Sequence, residues 1–92
     1  VSDWFVYVLR CGDGSLYTGI TTDVARRLIE HASGGPRAGK YLRGRGPLEL
    51  VFSASVDGKS AALAMERWIK AQPRSRKEKI ISGHLPLPRA DC

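Results

Sequence analysis

The chain has 92 residues, is 42% hydrophobic and 26% charged, and carries a net charge of +6. That length fits one domain with a small core, and the ordinary composition excludes collagen-like, disordered and repeat-built architectures. No apolar run approaches the ~20 residues a membrane span needs, and with strand-like VSDWFVYVLR at the start no leader is expected. A cytoplasmic protein is therefore expected, with residues 1–84 forming the domain and 85–92 a tail.

Cys11 and Cys92 are the two cysteines. Neither a CxxC pair nor a Cys/His spacing marks a zinc site, so both are expected as free thiols. The positive charge is clustered. Arg37, Lys40, Arg43 and Arg45 lie in a segment without an acid, and residues 67–79 hold Arg67, Lys70, Arg74, Arg76, Lys77 and Lys79 against Glu78 alone. Such patches favour a polyanionic partner, most often nucleic acid.

In chain order, WFVYVLRC (4–11) is β-branched and aromatic and reads as a strand. Its alternation puts Phe5, Tyr7 and Leu9 on one face and Trp4, Val6 and Val8 on the other. Asp13-Gly14 signals a hairpin, and SLYTGI (15–20) is the return strand, with Tyr17 nearly opposite Tyr7 and Gly19 on the same face. TTDVARRLIEHASGG reads as a helix of about three turns, capped by Thr21 or Thr22 and stopped at Gly34, with Val24, Ala25, Leu28 and Ile29 as its apolar stripe. Residues 34–47 read as a long, basic, Gly-rich loop.

LELVFSAS (48–55) is a third strand, closed by the Asp57-Gly58 turn. KSAALAMERWIKAQ (59–72) is a helix that stops before Pro73. Ser75 and Glu78 match a capping box for a last helix over 75–82. The order β-β-α-β-α-α defines an α/β (α+β) fold, a small three-stranded antiparallel sheet flanked by helices.

The chemistry concentrates on two helices. At 3.6 residues per turn, Val24, Arg27, Leu28 and His31 share one side of the first helix, so a guanidinium and an imidazole border the stripe that meets the sheet. Arg26 and Glu30 read as surface residues. In the second helix Glu66 stands among Ala62, Met65 and Ile69. A carboxylate there needs a partner or a metal, and Lys70 at i+4 is the simplest one. Gly19, beside a phenol on the same face, leaves a gap of the kind a close-approaching phosphate needs.

FVY (5–7), YTG (17–19), Arg27, His31 and a helical Glu66 together resemble the GIY-YIG nuclease superfamily over about residues 3–82, in particular its small stand-alone bacterial members. Single triplets carry little weight. Tyr-x9-Tyr-x-Gly followed by Arg27, His31 and Glu66 at the family spacings carries much more. The resemblance implies a metal-dependent endonuclease hydrolysing phosphodiester bonds in DNA, in repair or recombination. Tyr7, Tyr17, Arg27, His31 and Glu66 would be catalytic, and Glu66 would hold one Mg²⁺ or Mn²⁺. Gly19, Arg37, Lys40, Tyr41, Arg43, Arg45 and Lys70 would contact nucleic acid. Phe5-Val6 stands where the family has Gly-Ile, Thr18 where it has Ile, and the chain contains no asparagine, a residue many family nucleases carry after the glutamate helix. The competing readings are a nucleic-acid-binding module of the same fold with little or no cleavage, and a protein-interaction domain that docks onto a larger repair complex.

Overall fold

The computed structural model describes residues 3–33 and 47–84. Three strands, β1 (Asp3–Arg10), β2 (Leu16–Thr21) and β3 (Glu49–Asp57), and three helices, α1 (Val24–Ser33), α2 (Lys59–Lys70) and α3 (Arg74–Ile81), follow in the order β1-β2-α1-β3-α2-α3. The expected α+β architecture is therefore present. The sheet is antiparallel in the order β2-β1-β3, so the most apolar strand is central and β2 is an edge.

The hairpin register differs from the expected one. Arg10 pairs with Leu16, which makes Tyr7 oppose Gly19 and Tyr17 oppose Leu9. The register centres the hairpin on Asp13, one position further along than a Tyr7–Tyr17 pairing needs. Gly14 at φ 87 supplies the left-handed position, and Asp13 Oδ1 accepts from the Ser15 amide at 3.0 Å and from its hydroxyl at 2.6 Å. The two tyrosines are diagonal neighbours, not a facing pair. On the other side of β1, β3 runs two residues beyond its expected end, and a bulge between Val8 and Leu9 shifts its register.

The two faces of the sheet do different work. Val6 and Val8 face α2 and α3 and form the main core with Met65, Ile69 and Ile80, flanked by Leu16, Ile20, Phe52 and Trp68. Tyr7, Leu9 and Cys11 face the other way and pack with Tyr17, Leu28 and Leu48. Cys11 is a buried free thiol, and Cys92 lies outside the described residues. Toward β3 that second face ends in Ser53 and Ser55, both exposed.

Helix boundaries follow different chemistry from that expected. The cap of α1 is Asp23, whose Oδ1 accepts from the Arg26 amide at 3.0 Å, while Thr21 Oγ1 accepts from the Asp23 amide at 3.1 Å. Of the four stripe residues, Val24 and Leu28 are half-buried, but Ala25 is exposed and Ile29 is 70% exposed. The inward arc of α1 is narrower because polar residues occupy part of it. The start of α2 uses Gly58 at φ 99, which turns the chain at the end of β3.

The capping box at Ser75 does not form. α3 starts at Arg74 after Pro73, without a side-chain cap. Glu78 is committed elsewhere: it accepts two bonds from Arg10, at 3.1 and 2.9 Å, and one from Arg74 Nε at 2.9 Å. Arg74 also donates to the Gly14 carbonyl at 2.8 Å. This clasp ties α3 to the β1–β2 hairpin. The hydrogen bonds from Arg10 and Arg74 hold the Glu78 carboxyl down at about 2. Its folded pKa lies below the unfolded value, so its contribution is complete above ~4.3 and is lost as the pH falls toward 2. Glu78→Gln should flatten the fall of Tm between pH 4.5 and 2 in thermal melts. An unaltered acid limb would show that the clasp does not hold α3.

Candidate active site

Four of the five expected catalytic side chains meet on the Tyr7 face. Tyr7 is 2% exposed and His31 is 4% exposed. The Tyr7 hydroxyl and His31 Nε2 are 3.0 Å apart. The ring of Tyr17 lies 6.4 Å from that of Tyr7 and 5.6 Å, edge-on, from that of His31. Arg27, one turn before His31 on α1, hydrogen-bonds the Tyr7 phenol as well.

These contacts order the protons. Arg27 can only donate, so it takes a lone pair of the Tyr7 oxygen. Burial first, then the neighbouring Tyr17, pushes the Tyr7 pKa up to about 12 against the opposing pull of Arg27. Tyr7 therefore keeps its proton at neutral pH. Burial, then the Arg27 charge, lowers the His31 pKa, so the imidazole is neutral. The phenol proton points to His31 Nε2, and the network assigns the ring proton to Nδ1. The result is a chain of donors, Arg27 to Tyr7 to His31.

Glu30, expected at the surface, belongs to this chain. Arg27 Nη1 donates to its Oε1 at 3.0 Å, and the Glu30 side chain is only 20% exposed. Burial works against the Arg27 charge, but the bonds to Glu30 and Tyr7 outweigh it and raise its pKa. The signal was present in the sequence as an i,i+3 acid–base pair.

Gly19 has a different use from the one expected. A Cβ at this position would lie 2.6 Å from the Tyr7 hydroxyl, 2.7 Å from Tyr7 Cζ and 3.1 Å from the Tyr17 ring. The gap is filled by the phenol of Tyr7, which crosses from β1 over β2, so it is not open for a phosphate. An aromatic ring laid over a sheet glycine covers the backbone that the glycine leaves bare.

Glu66 comes from the opposite layer, since α2 packs under Val6 and Val8. It still reaches the cluster electrostatically: its charge acts on the Tyr7 phenol, adding to the upward shift. The meeting place is the β2 edge, over which Tyr7 leans and against which α2 packs. The Glu66 side chain is 19% exposed and accepts from Lys70 Nζ at 3.3 Å, as the i+4 spacing implied. Arg37, Lys40, Tyr41, Arg43 and Arg45 lie outside the described residues. Among the described residues no group of three acids, histidines or cysteines gathers into a metal cage, and no helix is long and apolar enough to cross a membrane.

Two phenols, a guanidinium and an imidazole are thus set on a β-hairpin and the helix after it. Residues 3–79 match the model of the GIY-YIG catalytic domain, and the chain belongs to that family, a family of nucleases. It is similar to a UPF0213 protein of Vibrio cholerae, with 57% identity over 83 residues, covering 89% of this chain and 80% of the relative. A solution NMR structure of a UPF0213 protein from Bacillus halodurans shares 46% identity and covers 87% of this chain and 83% of its own, with a TM-score of 0.56. A second NMR structure, of a protein from E. faecalis, shares 34% identity over 90% of this chain and 86% of its own, with a TM-score of 0.63.

Proposed function

We propose that this protein is a metal-dependent endonuclease that hydrolyses phosphodiester bonds in DNA, serving repair or recombination. The observation that carries the reading is the donor chain Arg27–Tyr7–His31 beside Tyr17, with the charge of Glu66 felt at the same phenol. Neither a protein-docking surface nor a simple binding module needs a buried phenol held between a guanidinium and a neutral imidazole.

A lone, partly exposed carboxylate suits Mg²⁺, which keeps most of its waters and takes one or two carboxylates together with substrate phosphate. Glu66 would hold that ion in exchange for Lys70. When bound, the ion supplies charge stabilisation at the phosphoryl oxygens. Arg27 offers the remaining donors of its fork to a phosphate oxygen, with Glu30 fixing the plane of the guanidinium. Tyr7 is buried and bonded on both sides, so it positions Arg27 and His31. Tyr17 is half-buried and borders open space, and it is the phenol placed to hydrogen-bond and orient the attacking water. Water oxygen bonds to phosphorus as the water proton passes to solvent, the bond to the leaving sugar oxygen breaks, and the departing alkoxide is protonated by solvent.

The test is incubation of purified protein with nicked, branched, single- and double-stranded DNA and with RNA, in Mg²⁺ or Mn²⁺. Glu66→Gln should reduce cleavage at least ~100-fold while binding persists, consistent with the loss of one major electrostatic group. Cleavage undiminished in that variant would trace to a contaminant. Binding without cleavage in the wild type would leave a nucleic-acid-binding module.

A further inference from the structure

We infer that the outer edge of β2 carries a second phosphate site, formed by Lys70 and Lys77 beside Tyr17, which grips the strand next to the phosphate held at Arg27. The nature of the occupant rests on the nuclease reading above, and the site itself rests on the following geometry.

A groove of about 280 Å³ runs along this edge, lined by Leu16, Tyr17, Thr18, Lys70 and Lys77. Its charged walls are both cationic. Lys70 comes from the end of α2 and Lys77 from α3, and among the described residues β2 pairs with a strand only on its β1 side. Lys77 is half-buried. Among the described residues it has no ion-pair partner, and its chain neighbour Glu78 is fully engaged by Arg10 and Arg74. The other cations of the basic stretch do not share this position. Arg74 is consumed in the clasp, and Arg67, Arg76 and Lys79 are exposed. A half-buried lysine without an ion-pair partner, lining a concave space, is a place for an anion.

The groove is continuous with the catalytic cluster through two shared residues. Tyr17 lines it and also packs against Tyr7 and His31. Lys70 lines it and is held by Glu66. A chain of phosphates entering the cluster would leave it along this edge, with Leu16 as an apolar rest for a sugar or base. Lysines on an edge strand also serve to block strand-to-strand aggregation, and this competing role has a different experimental signature.

The experiment measures binding of labelled single-stranded DNA, and of RNA of the same sequence, to the full chain without divalent ion across a salt series. Lys77→Ala should weaken both complexes about 3- to 10-fold and reduce the slope of log K against log salt by about 0.7–0.9, the loss of one phosphate contact. Lys77→Arg should restore the slope. Lys59→Ala, at the far end of α2 where its ammonium lies over Trp4, should leave it unaltered. The ratio of the DNA and RNA affinities identifies the preferred source of the phosphodiester. A Lys77→Ala slope equal to wild type overturns the site, as does increased self-association of that variant with unaltered binding, the signature of an edge guard. A wild type that binds through Lys77 but never cuts would keep this site and discard the nuclease.

Discussion

Gly19→Ala is expected to destabilise the protein by about 1–3 kcal/mol, the range for overpacking a filled site. It should also misplace the catalytic cluster. The new methyl group would land 2.6 Å from the Tyr7 hydroxyl, a distance that no side-chain carbon tolerates. Tyr7 is buried and pinned by His31 at 3.0 Å, so the ring can move only by breaking that bond. A displacement of this size in a positioned site costs on the order of 100-fold in rate. The check is a double-mutant cycle read by thermal or denaturant unfolding. In a Tyr7→Ala background, Gly19→Ala should lose most of its cost, because the clash partner is gone. An equal cost in both backgrounds would mean that the glycine serves the backbone of β2 and not the phenol.

Arg27→Ala should lower the cleavage rate by about 10²–10³, the usual effect of removing one group that stabilises developing charge. Arg27→Lys should recover little of it. A lysine ammonium is a point charge without the planar fork that here reaches Glu30 and Tyr7 together. The loss should fall mainly on kcat, with KM changing less, because the basic surface still binds the strand. Single-turnover assays at saturating substrate separate the two. A full-rate Arg27→Lys enzyme would show that positive charge alone suffices and that the fork geometry is irrelevant.

The legibility of the site varied with the distance over which residues act. Arg27 and His31 were found because both sit on one helix at a fixed angular spacing, and Tyr7 and Tyr17 because strand alternation assigns their face. Gly19 marks the limit: a missing side chain is visible in the sequence, while the neighbour that fills the space is not. Tyr7 fills it because the register centres the hairpin on Asp13, which puts Gly19 opposite Tyr7. Glu78 shows the same limit. Its spacing to Ser75 fits a capping box, but Arg10, far off in sequence, offers a two-pronged bond that a serine hydroxyl cannot match. Ile29 was placed in the inward stripe on hydrophobicity and is instead exposed, because Arg27, Glu30 and His31 already occupy the arc that faces the phenols.

From the amino-acid order alone came the α+β architecture and, through the motif resemblance, the family and the cluster side chains other than Glu30. The architecture and the shared faces depend on periodicity and spacing, which are local properties of the backbone. Tertiary structure decided the hairpin register, the proton order along Arg27, Tyr7 and His31, and the placing of Glu66 in the opposite layer, from which its charge still acts on Tyr7. Those depend on burial and on contacts between elements far apart in the chain, where desolvation sets which atom holds a proton and packing sets which neighbour fills a gap.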